Sequence, residues 1–160
     1  MPISPLERLH DLGLTLPQPP AAVASYIPVR SVWLGPERSL LHVAGQIPVS
    51  SGRLAFEGRV PSQVSVERAQ EAARLCALNI LAHVERAAGL HRVEQLVQLT
   101  AFVLSDQGFG RESEVVNAAS DLMLQVLGEA GRHARVAVGV ASLPLNSPVE
   151  IAAVVQVGPG

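Results

Sequence analysis

The segment "SVERAQEAARLCALNILAHVERAAG" (65–89) constrains the fold more than any other stretch of the chain. Ala69, Ala72, Ala73, Cys76, Ile80 and Val84 recur at three- and four-residue spacing, the signature of one helical face. Ser65 reads as the N-cap, Glu67 lies at the positive end of the helix dipole, and Gly89 can close the last turn. Small residues dominate this stripe, so the helix can approach a sheet closely. A second helical pattern, "GFGRESEVVNAASDLMLQVLGEAG", carries Val115, Ala119, Leu122, Met123 and Val126 as its apolar stripe, with Gly128 beyond it.

The sheet for these helices is written in the segments around them. "SVWLGPERSLLHVAG" reads as a strand, a Gly-Pro turn and a second strand, with Trp33 expected to anchor the hairpin. "VEQLVQLTAFVL" (93–104) reads as a buried strand, and 135–142 and 149–157 as two more. "VSSGRLAFEGRVPSQ" is expected to be a loop with a short extended piece at "RLAFEG". Ahead of all this, "SPLERLHDLGL" (4–14) has Ser4 as N-cap, Pro5 at the first helical position and Gly13 near the end of a short helix. "LPQPPAAVASY" follows as a proline-rich connector, expected to lie extended over the surface. Residues 1–25 thus form an N-terminal extension to a domain at 26–160, and 160 residues suit one domain rather than two.

Two helices cover only one face of a four- or five-stranded sheet. In the strand 135–142 alternation separates Val136, Val138 and Val140 from Arg135, Ala137, Gly139 and Ala141. The valines are expected to face the hydrophobic layer. The arginine over its floor of small residues is then expected on the bare face, where self-association would cover it.

Composition narrows the chemistry. The net charge is −2 and every one of the 12 basic residues is an arginine, which leaves no electrostatic footprint for nucleic acid. A single cysteine, Cys76, excludes an intrachain disulfide and sits on the apolar stripe as core packing. The five histidines lack metal-ligand spacing, and no P-loop or GxSxG elbow is present, so no metal or cofactor is expected. His42 reads as a packed core or interface histidine rather than a base. No run is long enough for a membrane helix, and the amino terminus does not read as a signal peptide, so a cytoplasmic protein is expected.

Arg135 and Glu150 remain. Arginine at a strand start presents a planar fork that grips a carboxylate through two parallel hydrogen bonds. Glu150 opens an otherwise apolar strand and needs a partner, solvent or a chemical task. The plainer reading is an ion pair between the two at a subunit interface, and periodicity alone does not choose between the readings.

Taken in order, "HVAGQIPV", "AAGL", "LVQLTAFVLSD", "VVNAA" and "HARVAVGVASLP...VEIAAVV" resemble the RidA family, also called YjgF or L-PSP. The resemblance runs from about Tyr26 to Val157, and the extension resembles a longer branch labelled endoribonuclease and chorismate-mutase-like. It implies an α+β two-layer sandwich with a mixed sheet and both helices on one face. Three copies would join their sheets as a central barrel, with active clefts between subunits. The positions matching the family's functional residues are Arg135, for the substrate carboxylate, and Glu150, for the attacking water. Tyr26, Gly45, Asn117 and Ala137 match cleft or substrate-binding positions.

The implied activity is that of a hydrolase acting on C=N bonds, converting 2-imino acids or their enamine tautomers to 2-keto acids and ammonia without a cofactor. The alternatives are a non-catalytic trimer that binds carboxylate metabolites and, against the acidic balance, an endoribonuclease. This chain departs from the family pattern at Ala44, Val136, Ala137 and Ala152, which makes its cleft less polar.

Overall fold

The computed structural model describes residues 3–159; residues 1, 2 and 160, at the ends of the two expected segments, lie outside it. Helix α1 (Pro5–Asp11) begins at Ser4 in a reciprocal capping box with Glu7. Strands β1 (Val29–Gly35) and β2 (Arg38–Gln46) form the expected hairpin, turning through Gly35 and Glu37 at positive φ. A small hairpin, β3 (Val49–Ser50) with β4 (Arg53–Leu54), occupies part of the expected loop. Its two turn residues, Ser51 and Gly52, both have positive φ, as a tight two-residue hairpin turn requires. Helix α2 (Val66–Ala87), strand β5 (Val93–Leu104), helix α3 (Glu112–Leu127), strand β6 (Ala134–Val140) and strand β7 (Val149–Val157) complete the chain.

The main sheet runs β1-β2-β7-β5-β6. Every neighbouring pair is antiparallel except β5 and β6, which the crossover through α3 makes parallel. The chain is therefore α+β with a mixed sheet. Both long helices pack on one face. The alanine stripe of α2 is wholly buried with Cys76, Ile80 and Val84, against Leu41, Val43, Leu99, Ala101, Ile151 and Ala153 of the sheet. Side chains this small let the helix axis sink toward the strands, so a core nearly without aromatics still packs tightly. The Ser65 side chain accepts from the Arg68 N–H, a cap worth about 1 kcal/mol.

The amino-terminal segment folds back on this body. Helix α1 packs on α3 with Leu9 buried in the common core. Among the described residues no helix is long and apolar enough to cross a membrane.

The structure reverses the expected orientation of β6. Arg135, Ala137 and Gly139 pair in register with the buried Leu99, Ala101 and Val103 of β5, so the small-residue face lies under the helices. Val136 and Val138, 45% and 42% exposed, lie on the helix-free face. The cause is steric. A Cβ at Gly139 would strike the Ser105 hydroxyl and the Glu112 carboxylate, so small residues are what let this edge strand fit beneath the start of α3. Trp33 likewise anchors nothing: it is 74% exposed on the edge strand β1. His42 is exposed on the helix-free face, not packed in the core.

Candidate functional site

The six residues singled out by the family resemblance fall into two groups on opposite faces of the sheet. The first surrounds Glu150. Its register partner is Phe102, which places it on the helix-free face, while Val149 and Ile151 point into the core. Between Val43 and Gln46 the pairing of β2 with β7 slips, a bulge that carries Gly45 onto the Glu150 side chain. A Cβ at Gly45 would run into the Glu150 carboxylate, so glycine is required by that close approach. Gly45, Tyr26 and Glu150 line one cavity of about 670 Å³, and among the described residues Glu150 is the only charged side chain in its wall. Burial raises the Glu150 pKa, because a partly desolvated carboxylate favours its neutral form.

The second group surrounds Arg135. Its Nη1 donates to Asn117 Oδ1 at 2.9 Å and to Ser120 Oγ at 3.0 Å, and its Nη2 donates to the Ser113 carbonyl at 3.2 Å. Asn117 and Ser120 are three residues apart on α3 and so share a helical face. Ser120 also meets His133 Nε2 at 2.9 Å, while His133 Nδ1 lies 2.7 Å from the Gly131 carbonyl. That carbonyl can only accept, so Nδ1 carries a proton, and in that neutral tautomer Nε2 accepts from the Ser120 hydroxyl. The hydroxyl is thereby turned to offer its lone pairs to Arg135.

Three of the five guanidinium N–H bonds are engaged. Among the described residues no carboxylate lies within ion-pair distance of Arg135. Ala137 sits two residues on along the same face, packed against the core.

Arg135 and Glu150 do not meet within one protomer. Arg135 is level with Leu99 and, through it, with Ala153; Glu150 lies two strands across and three residues along, on the other face. Strand spacing and rise put their backbones on the order of 14 Å apart. An intrachain ion pair is excluded. Ser120 and His133 were missed by reading motifs; the spacing of Ser120 from Asn117 was the available signal. Cys76, fully buried with Sγ 3.8 Å from the Val149 carbonyl, has its thiol pKa pushed well up by burial and, second, by the Glu150 charge, as suits packing rather than nucleophilic chemistry.

Fold and site together describe a two-layer α+β protein whose polar clusters are divided between the two faces of one mixed sheet. The chain belongs to the YjgF/chorismate mutase-like, putative endoribonuclease family, whose model matches residues 6–156. Protein TCP17 of Trypanosoma cruzi is 42% identical over 151 residues, covering 93% of this chain and 91% of that protein. The crystal structure of Atu1372 from Agrobacterium tumefaciens, a protein of unknown function, is similar with a TM-score of 0.84 and 44% identity, over 96% of this chain and 91% of that one. A putative endoribonuclease from Shewanella oneidensis MR-1 gives a TM-score of 0.88 at 31% identity, over 96% of this chain and 99% of that one.

Proposed function

We propose that the protein hydrolyses 2-imino acids to 2-keto acids and ammonia, in clefts where the Arg135 cluster of one protomer faces the Glu150 cavity of the next in a homotrimer. The observation that carries this reading is the division of the site: a braced guanidinium without a carboxylate partner on one face, a desolvated carboxylate in a cavity on the other. A second copy is the economical way to unite them. The exposed Val136 and Val138 give the helix-free face an apolar surface for such copies to cover.

The chemistry follows from the two groups. Arg135 holds the substrate carboxylate and so fixes the adjacent C=N carbon, replacing random encounter by a set geometry. Glu150 accepts a proton from water as its oxygen adds to that carbon, giving a carbinolamine. The proton passes to nitrogen, the C–N bond breaks, and ammonia leaves the 2-keto acid: imine plus water equals ketone plus ammonia, with no cofactor in the balance.

The test is to generate an imino acid with an amino-acid oxidase and follow its loss in competition with a semicarbazide trap. The trapped yield should fall as protein is added. A yield independent of protein concentration overturns the proposal, and ligand-dependent stabilisation without turnover would leave a carboxylate-binding protein instead.

Gly45→Ala should lower turnover about tenfold or more, since the added methyl displaces the base by about an ångström or turns it away. Its thermal melt should change little, because what must move is the end of a flexible side chain. A parallel loss of stability and activity would contradict this account.

A further inference from the structure

The cavity that one protomer contributes around Glu150 is larger than the smallest imino acids would fill. At about 670 Å³ it falls in the range of roughly 300–1,000 Å³ that holds drug-sized ligands, whereas the alanine-derived imino acid carries a single methyl group beyond the imine carbon. Its wall is mainly apolar, with Val23, Ile47, Val49, Leu54 and Leu145 around the single carboxylate. Leu145 stands at the rim, 66% exposed, with its backbone held in the left-handed region.

One whole side of this bowl is the connector 17–23, "PQPPAAV". Three prolines limit the backbone freedom this irregular segment would otherwise lose on being ordered. Helix α2 brings two buried polar side chains, one turn apart, next to these walls. Asn79, fully buried, donates through Nδ2 to the carbonyls of Ile47 and Val49, each at 3.1 Å. His83, 5% exposed, lies close to the Pro20 backbone, and its Nε2 is buried without a hydrogen-bond partner among the described residues. Polar groups so deep in an alanine-rich helix face are not needed for the core. Asn79 acts as a positioning residue for the wall at Ile47 and Val49.

Resting on the reading of the site as an imine hydrolase, we infer that the cavity is a side-chain pocket for 2-imino acids with branched aliphatic or aromatic side chains. The connector 17–23 is the element that sets this preference. With the carboxylate held by Arg135 of the neighbouring protomer and the imine carbon at Glu150, the side chain has an apolar bowl to enter, and a methyl group leaves most of it to water.

The experiment compares imines generated from alanine, leucine and phenylalanine, in the wild type and in Ala22→Phe and Ala21→Phe, which fill the bowl from the connector. Ala21 is exposed, so its variant folds even where Ala22→Phe does not. The wild type should show kcat/KM about tenfold or more higher for the two larger imines than for the smallest, the worth of burying one such side chain. In the filled variants that ratio should fall toward unity, the two larger imines losing far more than the alanine-derived one. A wild type without preference, or folded filled variants that retain the whole ratio, overturns the inference.

A binding arm separates this result from the activity itself. At equal concentration the keto acid of leucine should raise the wild-type Tm more than pyruvate does, and the filled variants should lose that difference. If no imine is hydrolysed but this preference is seen, the deaminase reading falls and the pocket stands. If the keto acids show no preference, the pocket assignment falls whatever the turnover.

Discussion

Arg135→Ala should lower kcat/KM for imine hydrolysis by roughly 10²–10⁴-fold. Each charge-assisted hydrogen bond to a carboxylate contributes about 1.5–3 kcal/mol net, and a forked grip makes two, or about 3–6 kcal/mol, at about 1.4 kcal/mol per tenfold. The substrate also loses its orientation, so kcat should fall along with the rise in KM. Arg135→Lys should recover little, since an ammonium is a point charge without the planar fork that now spans Asn117, Ser120 and the Ser113 carbonyl. Kinetics on the purified variants, with circular dichroism melts as a control for folding, decide the matter. Retention of full activity in Arg135→Ala would remove the guanidinium from the mechanism.

Glu150→Gln should reduce kcat by about 10²–10⁴-fold, the usual worth of a positioned general base. Its pH behaviour gives an independent check. Burial raises the folded-state pKa, so the acid limb of the wild-type rate profile should be centred above the ordinary glutamate value of about 4.3, and the variant should lack it. The same shift fixes a sign for stability. The folded chain holds this proton more tightly than the unfolded one, so the contribution is fully present below the unfolded pKa and is lost as pH rises through the folded pKa. At neutral pH the charged carboxylate is therefore a cost that glutamine avoids. The variant should melt slightly above wild type near pH 7, with the gain vanishing below about pH 4. The gain is small because the group is only half withdrawn from water. A variant that is less stable at neutral pH would point to a structural partner for Glu150 instead.

The elements of the fold were readable because their local signals agree. Ser65 with its alanine stripe, the long strand-like pattern of 93–104 and the Gly-Pro turn after Leu34 satisfy helix, strand and turn chemistry in turn. The orientation of β6 was not readable. Alternation says which residues share a face but not which face is covered, and for an edge strand close to a helix end small residues were the mark of the buried side. Valine on the outside and Trp33 in water follow the same logic: apolar character records what an assembly can cover, not only what a protomer buries. The proline-rich connector was expected over the surface, and its composition could not tell that it also walls the Glu150 cavity. The Ser120–His133 brace links α3 to the start of β6 across a turn, a juxtaposition that only the folded chain creates.

The placement of Arg135 and Glu150 on opposite faces of one sheet has a genetic and biochemical consequence. Each cleft would draw its cation and its base from different copies of the chain, so the two inactivating substitutions should complement one another. Equal amounts of Arg135→Ala and Glu150→Gln proteins, dissociated and reassembled together, should regain roughly a quarter of wild-type turnover, the share of interfaces at which both native groups meet. Neither protein alone should regain any, however concentrated the solution.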